Sequence, residues 1–121
     1  MWPAGTPEPD PVQNLHFTIE PCTAVDQAGW LVLRRALWPE GSEADHRAEM
    51  AVYLARPDRF APFVARDGAG VAIGLAEASL RSDYVNGTET SPVACLEGLY
   101  VLPAFRRRGL ASALCREPLA S

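Results

Sequence analysis

The stretch Leu96-Glu97-Gly98-Leu99-Tyr100-Val101-Leu102-Pro103-Ala104-Phe105-Arg106-Arg107-Arg108-Gly109-Leu110-Ala111-Ser112-Ala113-Leu114 decides the fold. An apolar run from Ala94 to Leu102 predicts a strand that stops at Pro103, where the ladder loses a backbone N–H. Arg106 to Gly109 then form a turn, and Leu110, Ala113 and Leu114 fall at helical spacing. Strand, glycine turn and helix start, in that order, make an anion site. The first amides of a helix have no acceptor within it, and its dipole favours negative charge. Gly109 lets the backbone approach a ligand closely, and the small Ala111 leaves the first helical turn unobstructed. Three arginines at one place suit a ligand with more than one phosphate. The segment reads as a diphosphate cradle.

Upstream, Phe17-Thr18-Ile19-Glu20 alternates apolar and polar residues and predicts an edge-type first strand. Thr23 followed by Asp26 resembles a capping box, predicting a helix in which Trp30, Leu33 and Leu37 share a face and which Pro39 ends. Ser42 and Asp45 repeat the signal for a second helix, with His46, Met50, Tyr53 and Leu54 on one face, ending before Pro57. From Phe63 the period becomes two. Phe63 to Arg66, a turn at Asp67-Gly68-Ala69-Gly70, and Val71 to Arg81 predict an antiparallel hairpin, with a strand over 93–102 to follow. The order is β-α-α-β-β-β-α, an α/β fold, with no internal repeat.

The 121 residues, 48% of them hydrophobic, suffice for one small core. Residues 1–15 carry four prolines and read as a disordered arm, or as the product of an upstream start codon, before a single domain at 16–121. No run is apolar enough to span a bilayer, and the first residues lack the basic and apolar parts of a secretory signal, so no membrane partner and a cytoplasmic location are expected. Cys22, Cys95 and Cys115 are widely spaced and read as free thiols, Cys95 and Cys115 as small core residues; no metal constellation is present. The net charge of −4 is unevenly spread. Residues 1–97 hold seven Arg against fourteen Asp and Glu, and residues 98–121 hold four Arg against one Glu. A basic end joined to an acidic body suits an anionic cofactor with a cationic second substrate, although the acidic body alone is equally a solvated surface. One basic cluster without interleaved aromatics argues against nucleic acid.

The spacing Arg106-x-x-Gly109-x-Ala111 after a strand resembles the acetyl-CoA pyrophosphate loop of the GNAT N-acetyltransferases. Leu37-Trp38-Pro39, Glu43-Ala44-Asp45-His46 with Glu49-Met50, Gly74 to Arg81, Asp83-Tyr84-Val85-Asn86-Gly87, Ser91-Pro92-Val93 and Leu96 to Pro103 occur in order. Together they resemble the type I aminoglycoside 6'-N-acetyltransferases, from about Phe17 to Leu114. The resemblance implies the GNAT (acyl-CoA N-acyltransferase) fold, a mixed, mostly antiparallel sheet flanked by helices, with the 93–102 strand central. It also implies acetyl-CoA as co-substrate, no metal, and acetyl transfer to the 6'-amino group of an aminoglycoside, which confers resistance.

The same resemblance assigns roles. The cofactor is expected on Arg106, Arg107, Arg108, Gly109, Leu110, Ala111 and Ser112, with the backbone of Leu99, Tyr100 and Val101 along its pantetheine arm and thioester. Read alone, those three residues could equally serve plain sheet pairing. Glu97 corresponds to a family glutamate that binds the aminoglycoside and assists deprotonation of its amine; read alone, it is a carboxylate on the solvent face of a strand. Trp38 and Tyr84 match substrate-contacting positions, though a helix-end Trp is otherwise core packing and a loop Tyr a surface lid. Glu77 could face the same cleft and ranks below Glu97. His46 is read as structural.

After Leu114 the resemblance stops, whereas relatives continue with further strands and a helix. The expectation is a partial domain lacking its C-terminal strands, with Pro118 breaking the last helix early. Two alternatives accompany the enzyme reading. One is a non-catalytic remnant, acetyl-CoA-binding or aggregation-prone, whose open sheet edge seeks a partner; apart from these alternatives, a homodimer is among the expected partners. The other is a GNAT acting on a different amine.

Overall fold

A computed structural model describes residues 16–82 and 92–120. Tyr84 and the arm over 1–15 lie outside them. Four strands, β1 (Phe17–Pro21), β2 (Phe60–Asp67), β3 (Ala72–Ser82) and β4 (Pro92–Val101), form one sheet in the order β1-β2-β3-β4. Every pairing among them is antiparallel, so the mixed character expected is not seen among the described strands. The first strand is an edge, as its short alternating pattern implied. The last, expected to be central, is the other edge of the described sheet.

The hairpin between β2 and β3 is closed by Asp67. Its Oδ1 accepts from the amides of Ala69 and Val71, each at 2.9 Å, and Gly70 takes φ +87 in the turn. A short polar side chain satisfying amides that the ladder leaves unpaired is the physical basis of such turns.

Helices cover both faces. α1 (Trp30–Leu37) and α2 (Glu43–Ala55) pack on one face, where Trp30, Leu33, Met50, Val64, Leu75 and Cys22 form a core. α3 (Leu110–Ala120) packs on the other against Phe63, Ala65, Ile73, Ala76 and Val101. Period-two alternation along β2 sorts side chains between these two cores, while in β3 a bulge at Ile73 shifts the phase and puts Ile73 and Leu75 in opposite ones.

The second capping signal is realised: Ser42 Oγ accepts from Asp45 N at 3.0 Å, with Glu43 and Asp45 in the first turn favoured by the dipole. The first is not. Gln27 Oε1 takes the Thr23 amide at 2.6 Å, residues between them turn, and α1 starts only after Gly29 at φ +88, without a side-chain cap. Gln27, one position beyond the expected Asp26, has the reach to fold back and compete with a helix. Pro118 also departs from expectation, since α3 continues through it to Ala120. It sits in the last turn, where few further residues depend on the ladder it interrupts.

Candidate active site

β4 pairs with β3 in register from Val101 back to Gly98, opposite Gly74 and Glu77 respectively. The next pair is Ala78 with Leu96, so Glu97 is an extra residue in a β-bulge. A bulge leaves its residue out of the ladder and re-aims it. Glu97 is accordingly exposed, and its charge reaches the Tyr53 phenol. Burial chiefly, and then the negative charge of Glu77, pushes that phenol up to about 12, with Glu97 adding to the effect.

Beside the bulge, Gly98 forms a slot. A Cβ on Gly98 would lie 2.5 Å from Trp38 Cη2, 2.8 Å from its Cζ2 and 2.9 Å from Leu37 Cδ2. The half-buried indole of Trp38 therefore lies directly against the strand, one residue from Glu97. Trp38 is thus brought to β4 at the position next to Glu97.

Toward its C-terminal end, β4 exposes backbone. Leu102 N donates to Ile73 O at 2.9 Å, so by alternation Val101 and Leu99 turn their N–H and C=O groups away from β3. Arg106 Nε donates to Val101 O at 2.8 Å, which agrees with that direction. Tyr100, expected to act through its backbone, has its amide directed at β3 and contributes its ring, over which the Arg106 guanidinium lies at 5.5 Å. The chain then passes through a 3-10 turn (Pro103–Phe105) into Arg107 and Gly109, at φ 64 and 79. Both residues are in the left-handed region, where a turn of this tightness places them and where Gly109 is unstrained. Ala113 N accepts the helical register by donating to Gly109 O at 3.1 Å, so the amides of Leu110, Ala111 and Ser112 are the first-turn donors of α3.

Two adjoining hollows follow this edge. One of about 190 Å³ is lined by Val101, Phe105, Arg106, Arg107, Gly109, Ala111 and Ser112. The next, about 260 Å³, is lined by Leu99, Tyr100, Val101, Arg106 and Ala111. They share Val101, Arg106 and Ala111 and make one groove, with donors at the helix end and a strand edge alongside. Arg108 lies over Phe105 at 5.8 Å and Arg107 is exposed. A larger apolar cavity of about 380 Å³ lies elsewhere, between β1, β2 and α2, and Cys22 and Tyr53 are its ionisable lining groups. Burial drives the Cys22 thiol well above the ordinary range, which leaves it unreactive. Cys95 and Cys115, expected in the core, are only half-buried.

Glu77, which could have faced the cleft, is fully buried beneath it. It accepts from Trp30 Nε1 at 2.9 Å and from Arg34 Nη1 at 2.5 Å. Burial pushes its carboxyl up, and these donors oppose that rise. Arg34, 1% exposed, also donates to His46 Nδ1 at 3.3 Å and to Glu49 at 2.8 Å, and lies 4.9 Å from the Trp38 ring centroid. His46 is buried, with Nε2 3.0 Å from the Trp38 carbonyl oxygen, so its structural reading agrees with its surroundings. Sequence reasoning missed Arg34, although it falls four residues after Trp30 on the face defined by Trp30, Leu33 and Leu37. A charge in the middle of an apolar helical stripe was the available signal.

Residues 30–119 match the model of the Acetyltransferase (GNAT) family. The chain belongs to that family. It is 55% identical over 85 residues to the aminoglycoside N(6')-acetyltransferase type 1 of Serratia marcescens, covering 70% of this chain and 58% of that protein. To the enzyme of the same name from Acinetobacter haemolyticus it is 48% identical over 101 residues, covering 84% and 68%. Among solved structures, the 6'-N-acetyltransferase AAC(6')-Ih from Acinetobacter baumannii superposes with a TM-score of 0.71 at 39% identity, over 86% of this chain and 69% of that one. AAC(6')-Iy in complex with the bisubstrate analogue CoA-S-monomethyl-acetylneamine gives 0.70 at 44%, over 83% and 67%. The chain thus spans between about three-fifths and two-thirds of the length of these relatives. The GNAT assignment and the α/β architecture follow from these matches. No helix among the described residues is long and apolar enough to cross a membrane, and none of their side chains group as a metal site.

Proposed function

We propose that the chain binds acetyl-CoA along the outer edge of β4 and directs its acetyl group to the 6'-amine of an aminoglycoside. The observation that carries this reading is continuity. The outward amides of Leu99 and Val101 run directly into the helix start at Gly109, and on the other side of Leu99 the Glu97 bulge and Gly98, with Trp38 against it, occupy the middle of the strand. A pantetheine arm hydrogen-bonds such an edge as a further strand would. The diphosphate takes the amides of Leu110, Ala111 and Ser112 together with Arg107 and Arg108, while Arg106 holds the strand end by its bond to Val101.

In this scheme the deprotonated 6'-amine attacks the acetyl carbonyl, the C–S bond breaks and the thiolate leaves. An outward β4 amide stabilises the oxyanion, and the proton lost from the amine passes to Glu97 directly or through a water. Other ammonium groups of the substrate are held by Glu97, the Trp38 face and Tyr84. No cysteine takes part. The reading puts the reaction in the cytoplasm.

The test is acetylation of kanamycin or tobramycin, followed by thiol release and product mass. It is run on this chain and on the chain joined to the C-terminal segment of the Acinetobacter haemolyticus relative. Acetylated product that falls at least tenfold on Glu97→Ala supports the proposal. CoA binding with no transfer to any aminoglycoside in either form refutes the substrate assignment.

A further inference from the structure

We infer that Arg34 and His46, with the slot at Gly98, form a buried clamp that positions the Trp38 indole. The inference deepens the reading of Trp38 as an aminoglycoside contact and rests on it for the effect on substrate. Trp38 follows the last residue of α1, where a large side chain would ordinarily sample several rotamers. Here its freedom is removed from three sides. The ring is pressed against Gly98, where a Cβ would sit 2.5 Å from Cη2. The Arg34 guanidinium lies 4.9 Å from the ring centroid. The backbone is held as well, because Trp38 N donates to Arg34 O at 2.8 Å and His46 Nε2 lies 3.0 Å from Trp38 O.

Arg34 is itself fixed, since Glu77, Glu49 and His46 Nδ1 each take one of its N–H groups. His46 therefore links the two, accepting from Arg34 at Nδ1 and donating to Trp38 O from Nε2. That assignment is the tautomer both contacts require. A buried, charged side chain is costly unless it does something that an apolar one cannot. Here it lies over two aromatic rings, Trp38 at 4.9 Å and Tyr53 at 5.6 Å, while its fork is held rigidly, which Lys or Leu would not reproduce. Arg34 and His46 are positioning residues: they reach the substrate only through Trp38.

The test incorporates 5-fluorotryptophan into the whole chain and reads the Trp38 fluorine resonance, identified by its loss in Trp38→Phe. The variants are Arg34→Lys, His46→Gln, Gly98→Ala and the charge-neutral double Arg34→Met/Glu77→Gln, with the exposed Arg35→Met as control. Binding of neamine and of CoA is titrated for each.

The inference expects one narrow Trp38 resonance in the parent and in Arg35→Met. It expects a shifted or broadened one in at least Gly98→Ala and one Arg34 variant, while the far-ultraviolet spectrum keeps its parent shape. Neamine affinity should fall about tenfold with CoA affinity unchanged, a loss of the size of a partly desolvated cation–π contact. A Trp38 resonance identical to the parent in every folded variant overturns the clamp. A displaced resonance with unchanged neamine affinity supports the clamp and overturns instead the reading of Trp38 as a substrate contact.

Discussion

Replacing Glu77 with Ala tests the buried charge network beneath the site. Glu77 and Arg34 are 0% and 1% exposed, so solvent screening does not weaken their interaction, and two donors converge on the carboxylate. Removing it leaves the Arg34 guanidinium with Glu49, whose side chain is 61% exposed, and with the neutral His46 nitrogen. Breaking one side of a buried pair costs about 3–5 kcal/mol, and an orphaned Trp30 N–H adds about 1–3 kcal/mol. The two share one cavity and do not add fully, so about 4 kcal/mol is expected. A domain of this size has about 5–15 kcal/mol in total and loses roughly 4 °C per kcal/mol, so the midpoint should drop by about 15 °C. Urea and thermal unfolding by circular dichroism measure it. The double replacement Arg34→Met/Glu77→Leu should recover more than half of the loss, because a shaped apolar pair removes the stranded charge. A loss below about 1 kcal/mol for Glu77→Ala, or a double variant no better than the single, would refute the reasoning.

Three further outcomes follow from the same geometry. Glu77, raised above its ordinary 4.5 by burial, favours the folded state most fully below that value and loses the contribution as pH rises through its folded pKa. Glu20, lowered by its bond to Arg66, has the opposite sign: its stability is present above 4.5 and is lost as pH falls through its folded pKa. Urea midpoints across pH should therefore lose their falling limb in Glu77→Gln and part of their acid limb in Glu20→Gln, and unchanged profiles would contradict both assignments. Gly109→Val, at φ +79, should weaken CoA at least tenfold in a calorimetric titration while His46→Gln leaves it nearly unchanged; equal effects would remove the cradle. Native-state alkylation followed by peptide mapping should modify Cys95 and Cys115 well before Cys22, which is 5% exposed, and early labelling of Cys22 would show that its cavity opens.

Local chemistry made much of this protein legible without coordinates. The order of strand, turn and helix could be read because its parts are consecutive: a strand ended by Pro103, a turn at Gly109, and a helix start whose amides are left free. Ser42 with Asp45 and the turn at Asp67–Gly70 were equally local, each a short side chain answering amides a few residues away. Where two local signals competed, the reading failed. Thr23 with Asp26 looked like a cap, yet Gln27 took the Thr23 amide and α1 began later.

Register and burial were beyond sequence. Nothing local tells Glu97, bulged out of the ladder, from Glu77, enclosed against Trp30 and Arg34, because each is one carboxylate in an apolar strand. Which amides of β4 face outward depends on where Leu102 meets Ile73, a pairing between residues distant in chain order that only the folded sheet sets. The seating of Trp38 on Gly98 likewise joins a helix end to a distant strand. Sequence by itself determined the family, the strand, turn and helix order over 93–120 and the kinds of side chain available. Tertiary structure decided which carboxylate meets solvent and which is buried, since desolvation and hydrogen-bond partners come from neighbours remote in the chain.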